Sequence, residues 1–214
     1  MINNFANALK NKGMPDEALL KYQEALSYDP FYVLAQMNLG IAYLKKGMYE
    51  DAIRELEKAI AIKSDYAQAY FNLGLVRMNQ GRYDEGIREG KRAVEIEPHN
   101  ADAHNLLGAL YYRKGMFDEA IDEFKKALEN NFLHLQAIDN LGVAYLNQGK
   151  IKEAINEFKR ALNINDHDVE AYNNLGVAYL KMGDNEEARL HFRRALQIKP
   201  NYKKARHNLE RLDR

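Results

Sequence analysis

Cysteine and tryptophan are absent from this 214-residue chain, and proline occurs only four times. Without cysteine the chain forms no disulfide and no cysteine-based zinc site, and it has no thiol nucleophile. It also lacks an apolar run near the roughly 18 residues of a membrane-spanning helix, and it lacks a signal-peptide pattern. We therefore expect a cytoplasmic protein that reaches an organelle or a membrane only through its partners.

An excess of charge of one sign is also missing. The 31 Lys and Arg residues balance the 31 Asp and Glu residues, so the formal net charge is zero. Such a chain has no net field that would attract nucleic acid or an anionic membrane surface. We therefore expect neither nucleic-acid binding nor direct membrane insertion.

One spacing repeats along nearly the whole chain. Two series of glycines and one series of alanines recur every 34 residues without an insertion. They are Gly40, Gly74, Gly108, Gly142 and Gly176; Gly13, Gly47, Gly81, Gly115, Gly149 and Gly183; and Ala25, Ala59, Ala93, Ala127, Ala161 and Ala195. A period of this length indicates repeats that bury their apolar faces only by stacking on one another.

Residues 135–168 show the design of one repeat. Leu141 and Tyr145 fall on one face of a first helix, and Ile155 and Phe158 on one face of a second. Gly149 lies between them, where a helix end and a tight turn favour glycine. Each repeat therefore predicts a helix A, a turn and a helix B. The full repeats are 33–66, 67–100, 101–134, 135–168 and 169–202, with a partial repeat at 1–32 and a capping helix at 203–214.

The B helices carry acids near their starts and bases near their ends, as the helix dipole favours. Three pairs of opposite charge stand three residues apart, where side chains on a helix meet. They are Glu55–Lys58, Glu123–Lys126 and Glu157–Arg160. This pattern predicts a solvated outer face.

The pattern resembles the tetratricopeptide-repeat (TPR) family, whose 34-residue unit is a helix–turn–helix. The characteristic positions of that family are filled by the glycines of the first series, by the leucines before them and by the aromatics of helix B. The leucines are Leu39, Leu73, Leu107, Leu141 and Leu175, and the aromatics are Tyr22, Phe124, Phe158 and Phe192. The resemblance covers essentially the whole chain. It implies an all-α, right-handed α-α superhelical solenoid of helix–turn–helix repeats, with the A helices lining a concave groove.

No set of residues predicts catalysis. His99, His134 and His167 fall at turns of different repeats, and all six histidines are expected at the surface or in turns. No HExxH motif or phosphate-binding loop is present. We therefore expect no catalytic residue, no metal site, no cofactor and no enzymatic activity.

The groove is where the resemblance places the binding residues. An asparagine stands two positions before the small residue of helix A in most repeats, and an amide offers both a donor and an acceptor to the main chain of a peptide. The alternative is that these amides form hydrogen bonds within the fold. The predicted peptide-binding residues are Asn38, Asn72, Asn105, Asn140 and Asn174, with the apolar Ile41, Leu44, Leu75, Met78, Tyr112, Val143, Leu146, Val177 and Leu180 between them.

Three functions compete. The first is a scaffold that binds peptide segments in its groove, and the second is a self-assembling scaffold whose groove receives a helix of a neighbouring copy. A magnetosome-associated TPR scaffold, which this chain resembles in size and construction, is of the second sort. The third is a regulatory TPR module of a larger enzyme. Because Met1 falls inside a helix A of the pattern, either residues are missing upstream or the terminus is naturally frayed.

The repeat 67–100 departs from the pattern three times. Arg77 replaces the tyrosine of helix A, Gly86 replaces the alanine of helix B, and Gly90 replaces the aromatic. Glycine inside a helix costs about 1 kcal/mol relative to alanine, and a lost aromatic removes packing. These residues therefore predict a hinge.

Overall fold

The computed structural model describes residues 2–213, except for the side chains of Lys10 and Asn11. Within that range the chain forms thirteen α-helices and no strand, which confirms the all-α class and the succession of helices and short turns. The helices are α1 (Ile2–Asn11), α2 (Pro15–Tyr28), α3 (Val33–Lys45), α4 (Tyr49–Ile62), α5 (Ala67–Asn79), α6 (Tyr83–Ile96), α7 (Ala101–Arg113), α8 (Phe117–Asn130), α9 (Leu135–Asn147), α10 (Ile151–Ile164), α11 (Val169–Met182), α12 (Asn185–Ile198) and α13 (Lys203–Leu212).

The chain divides into two compact units, one ending at Leu110 and the other beginning at Tyr111. In the first unit each of the helices α1 to α6 packs against the next, and in the second unit the same holds from α8 to α13. Each unit therefore builds its core between successive helices, as stacked repeats do.

The turn between helix A and helix B depends on the second glycine series. At Gly149 the backbone has φ of 77°, and the other members of the series have φ between 72° and 88°. Glycine adopts this left-handed conformation without a Cβ penalty. The Lys150 N–H then donates to the Tyr145 carbonyl at 2.9 Å, which closes the end of α9 as in a Schellman motif. The predicted turn is confirmed.

At Gly40, Gly142 and Gly176 of the first glycine series, helix A lies against an apolar side chain of its helix B. A Cβ built at Gly142 would stand 2.6 Å from Cε1 of Phe158, and one built at Gly176 would stand 2.6 Å from Cε1 of Phe192. Both rings are fully buried. In these repeats the periodic glycine of helix A and the periodic aromatic of helix B thus contact each other.

The repeat 67–100 is packed differently. A Cβ added at Gly90, which replaces the aromatic, would stand 3.2 Å from Leu107, and a Cβ added at Gly86 would stand 2.6 Å from Leu110. Leucines of the following helix therefore occupy the space. The guanidinium of Arg77 is almost fully buried and lies 3.4 Å from a carboxylate oxygen of Glu85. The space at the two glycines is thus filled, and the charge of Arg77 is paired, although its buried Nε has no hydrogen-bond partner within residues 2–213. The hinge stays a prediction.

The charge pairs of the B helices form as predicted. Lys58 lies 3.0 Å from Glu55, Lys126 lies 2.7 Å from Glu123, and Arg160 lies 3.3 Å from Glu157. However, Glu55 and Glu123 are only 5% and 8% exposed, so the expectation of a fully solvated face is wrong at these positions. At Glu55 the reason is visible, because the amide of Gln36 donates to its buried carboxylate.

Candidate functional site

The A helices α9 and α11 of the second unit carry the predicted apolar positions. Val143 and Val177 are half-buried and pack at the margin of the core built around Phe158 and Phe192. Leu146 is 8% exposed and Leu180 is 36% exposed. Val143, Val177 and Leu180 thus form a partly exposed apolar stripe on α9 and α11, whereas the predicted Leu146 belongs to the buried core.

Amides flank this stripe. Asn140 and Asn174 are both half-buried, so part of each side chain faces solvent. Asn147, which the sequence analysis did not include, donates its Nδ2 to the Tyr112 hydroxyl and to the Val143 carbonyl, both at 2.9 Å. The predicted Tyr112 is thereby held at the edge of the stripe. Asn79 stands at the same position of an earlier repeat, and this recurrence is the signal by which the sequence could have indicated Asn147.

The predicted asparagines of the first unit are buried, in contrast to those of the second. Asn38 is 7% exposed and donates its Nδ2 to Asn3 Oδ1 at 3.2 Å. Asn72 is 5% exposed and donates to the Gln68 carbonyl at 2.6 Å, and Asn105 is 7% exposed. Burial at these three positions favours the alternative that the amides serve the fold. The peptide ladder stays a prediction, and it is best supported at the half-buried positions of the second unit.

The remaining predicted positions of the first unit are apolar and lie on the A helices α3 and α5. All four are half-buried: Ile41, Leu44, Leu75 and Met78. Ile41 and Leu44 pack against the core cluster that contains Leu56 and Val76. Because the amides of this face are buried, fewer of its polar groups are accessible to a partner than on the corresponding face of the second unit.

A carboxyl group lies next to the amides of the second unit. Asp139 on α9 is partly buried, and burial together with the nearby carboxylates of Asp168 and Glu170 raises its pKa to about 7. Glu170 is itself paired with Lys204, whose Nζ lies 2.6 Å from Oε1. The same part of the second unit thus contains apolar groups, amides and one partly buried carboxyl with a raised pKa.

His191 on α12 is not the surface histidine that the sequence suggested. Its ring stacks on Tyr179 with a centroid distance of 5.4 Å and on Tyr172 at 6.0 Å. Burial lowers the pKa of His191, and the nearby Lys159 adds to the effect while Glu187 opposes it. His104 is also buried, with Nε2 at 2.9 Å from the Pro98 carbonyl. Both rings therefore belong to the packing of the repeats.

Residues 2–213 contain no group of three or more His, Cys, Asp or Glu side chains arranged to hold a metal ion. None of the helices in that range has the length and apolar character needed to cross a membrane.

Comparison with known protein families gives matches along most of the chain. Models described as TPR repeat or tetratricopeptide repeat match residues 6–47, 42–81, 65–131, 142–183 and 169–202. None of the curated proteins matches the chain.

Several solved structures are similar to this one. A crystal structure of MamA has 30% sequence identity and a TM-score of 0.67, covering 75% of this chain and 94% of that one, in keeping with the resemblance to a magnetosome-associated scaffold. YrrB, described as a TPR protein with an unusual peptide-binding site, has 22% identity and a TM-score of 0.71, covering 88% and 97%. PilF of Pseudomonas aeruginosa has 23% identity and a TM-score of 0.75, covering 83% and 81%. The similarity to YrrB and to PilF shows a shared fold.

Proposed function

Because the chain belongs to the tetratricopeptide-repeat family, whose members mediate protein–protein interactions, we propose that it is a non-enzymatic scaffold that binds peptide segments on its A helices. The binding face is that of α9 and α11 in the second unit. The observation that carries this proposal is the stripe of Val143, Val177 and Leu180, left partly exposed beside two half-buried amides.

The chemistry of the face indicates the kind of partner. Aliphatic side chains gain from covering one another, at roughly 25 cal/mol for each Å² of apolar surface removed from water. Amide groups beside them pair with main-chain groups that such a segment would otherwise leave unsatisfied. An extended or helical segment with apolar side chains therefore fits better than a charged tail. The description of YrrB as peptide-binding supports this class of ligand.

The test compares two leucines of similar chemistry on different helices. Leu180 lies on α11 in the proposed face and is 36% exposed, whereas Leu190 lies on α12 and is 57% exposed. We expect Leu180→Asp, combined with Val177→Asp, to abolish the capture of protein partners, as measured by quantitative mass spectrometry of pulled-down proteins. Leu190→Asp should leave capture unchanged. Partners lost equally with both variants would place the interaction elsewhere.

A second candidate is self-association, because one turn of the first unit exposes large apolar side chains. Tyr28, the last residue of α2, and Phe31, in the turn before α3, are each 76% exposed. Apolar groups clustered on a surface often mark an interface. Sedimentation velocity of the chain over a range of concentrations distinguishes the two candidates. An oligomer that Phe31→Ser dissociates supports self-association, and a monomer at every concentration contradicts it.

A further inference from the structure

The helix α13, which continues the series of A helices, brings a cation to the proposed binding face. Arg211 stands one period of 34 residues after Val177 and two periods after Val143, so it occupies the position of the apolar stripe. Asn208, three residues earlier and therefore on the same side of α13, donates its Nδ2 to Asn173 Oδ1 of α11 at 3.0 Å. Arg211 thus lies on the side of α13 that is next to α11, and not on the outer side of a capping helix.

A depression in the surface connects Arg211 with the stripe. It has a volume of about 430 Å³ and is lined by Leu180, Asn185, Asn208, Arg211 and Leu212. Two leucines, two amides and one guanidinium form this wall, and none of these five side chains is acidic. Ligand sites typically have roughly 300–1,000 Å³ and combine apolar walls with a few polar groups. The depression therefore offers room for an apolar side chain beside a cation.

The fold does not require a cation at this position. The A helices of both units place half-buried aliphatic side chains there, among them Ile41, Leu75, Val143 and Val177. On α13 the contacts with the core come instead from Leu209 and Leu212. The exposed guanidinium of Arg211 is thus left over from the packing of the helix.

The acids around the depression are engaged elsewhere. Asp213 and Glu186 both pair with Arg189, at 2.9 Å and 2.7 Å. Asp184 caps the start of α12, where its Oδ1 accepts a main-chain N–H at 3.1 Å. Within residues 2–213 the side chain of Arg211 forms no ion pair and no hydrogen bond. Its charge is therefore available to a partner.

We propose that Arg211 receives one acidic side chain, an aspartate or a glutamate, of an extended peptide segment whose apolar side chains cover Val177 and Leu180 and enter the depression beside Leu212. The proposal rests on the proposed function and specifies its ligand. A guanidinium binds a carboxylate through two parallel N–H···O bonds, and the opposite charges are complementary.

The extended form follows from the amides of the face. Asn140 and Asn174 pair with main-chain groups, which an extended segment leaves free and a helix satisfies internally. The helices α11 and α13 contact each other, and packed helices lie roughly 8–10 Å apart. Since an extended chain spans ~3.3 Å for each residue, the acid should stand about three residues from the apolar residue that covers Val177.

The experiment selects a random peptide library displayed on phage against the whole chain and against Arg211→Gln, Arg211→Glu and Arg206→Gln. The peptides are joined to the phage through their C-termini, so they offer only side-chain carboxylates. Arg206→Gln is the matched control, since Arg206 lies on the same helix and donates its Nη2 to the Pro200 carbonyl at 2.6 Å. The wild type and the control should enrich apolar peptides with one aspartate or glutamate. Arg211→Gln should lose that preference, and Arg211→Glu should enrich lysine or arginine instead.

The best peptide is then measured by calorimetry beside a copy in which the corresponding amide replaces its acid. Arg211→Gln should weaken binding of the acidic peptide about fivefold, as for an ion pair partly in contact with water, and should leave binding of the amide copy unchanged. An equal loss for both peptides, or an acidic residue enriched equally by Arg211→Gln, overturns the assignment of Arg211.

The selection also separates this inference from the proposed function. Val177→Ser/Leu180→Ser removes apolar surface without adding charge near Arg211. Peptides that bind wild type but not this double variant, and that show no preference for an acidic residue, leave the proposed function standing and overturn only the role of Arg211. An absence of enriched peptides, or peptides that bind the double variant as well as they bind wild type, overturns both together.

Discussion

Asn38 and Asn140 occupy the same position of the repeat, yet the structure gives their amides different surroundings. Asn38 is buried against Asn3, whereas Asn140 is half-buried on the proposed face. The sequence could predict the row of amides because their spacing is fixed by the period. It could not predict their depth, because that depends on side chains 35 residues away in the neighbouring helix.

The first prediction concerns the amides on the proposed face. Asn140→Ala combined with Asn174→Ala should weaken peptide binding several-fold, since an unmet hydrogen bond at an interface costs roughly 0.5–1.5 kcal/mol. The thermal midpoint should hardly change, because water reaches both positions. Calorimetric titration with a selected peptide and thermal unfolding by circular dichroism measure the two effects.

Two further variants calibrate that result. Tyr145→Ala, on the packed side of α9, should lower stability by a few kcal/mol through loss of buried surface. Asn38→Ala should also lower stability, by about 1 kcal/mol, since it leaves Asn3 Oδ1 without its donor. If the Asn140/Asn174 pair destabilises as much as Tyr145→Ala and spares binding, those amides are structural.

The glycines of helix A give a second prediction at this scale. Gly142→Ala places a Cβ within 2.6 Å of the Phe158 ring, so either the ring or the helix must move. Overpacking of this kind costs typically about 1–3 kcal/mol. Urea unfolding should show that loss for Gly142→Ala in the wild-type chain and a smaller loss for the same change in a Phe158→Ala background, because the alanine side chain leaves room for the methyl group. An equal loss in the two backgrounds would mean that the ring is not the obstacle.

At the scale of the helices, the period predicted the elements better than the packing between them. The turn glycines and the apolar spacing mark where α9 and α10 begin and end, because both signals are local to the chain. The presence of Gly90 in place of an aromatic could not show which side chain compensates for the lost ring. That compensation comes from Leu107 in the next helix, whose side-chain direction depends on tertiary packing.

The third prediction concerns the repeat 67–100. Its helix α6 contains two glycines and packs through leucines of α7, whereas α10 packs through Phe158. Glycine disfavours the helix by about 1 kcal/mol at each position, so α6 should open more readily. Amide hydrogen exchange should be faster in residues 84–97 than in 152–165. Equal exchange in the two segments would show that Leu107 and Leu110 restore full rigidity and that the hinge is absent.

At the scale of the whole molecule, two partly buried titrating groups of the second unit, Asp139 and His191, have pKa values that burial shifts in opposite directions. Burial raises the pKa of a carboxyl and lowers that of an imidazole, because it disfavours the charged form of each. Neither shift could be foreseen from the sequence, since both residues occupy positions where the repeat tolerates polar side chains.

The last prediction follows from the sign of each shift. The pKa of Asp139 is raised from 3.8 to about 7, so its folded form keeps a proton that the unfolded form releases. The associated stability is present below pH 3.8 and is lost as the pH rises through 7. The lowered pKa of His191 acts in the other direction, because stability is lost as the pH falls below the 6.5 of the unfolded chain.

Variants of the two residues separate these effects. Asp139→Asn should gain stability over wild type from pH 5 to pH 8, by an amount on the order of a few kcal/mol, since the amide avoids burying a charge. His191→Phe should gain relative to wild type only as the pH falls from 7 to 5, because phenylalanine keeps the stacking on Tyr172 and Tyr179 without accepting a proton. Urea unfolding at each pH measures both differences. A difference that stays constant with pH for either variant would show that the residue titrates alike in the folded and unfolded chain.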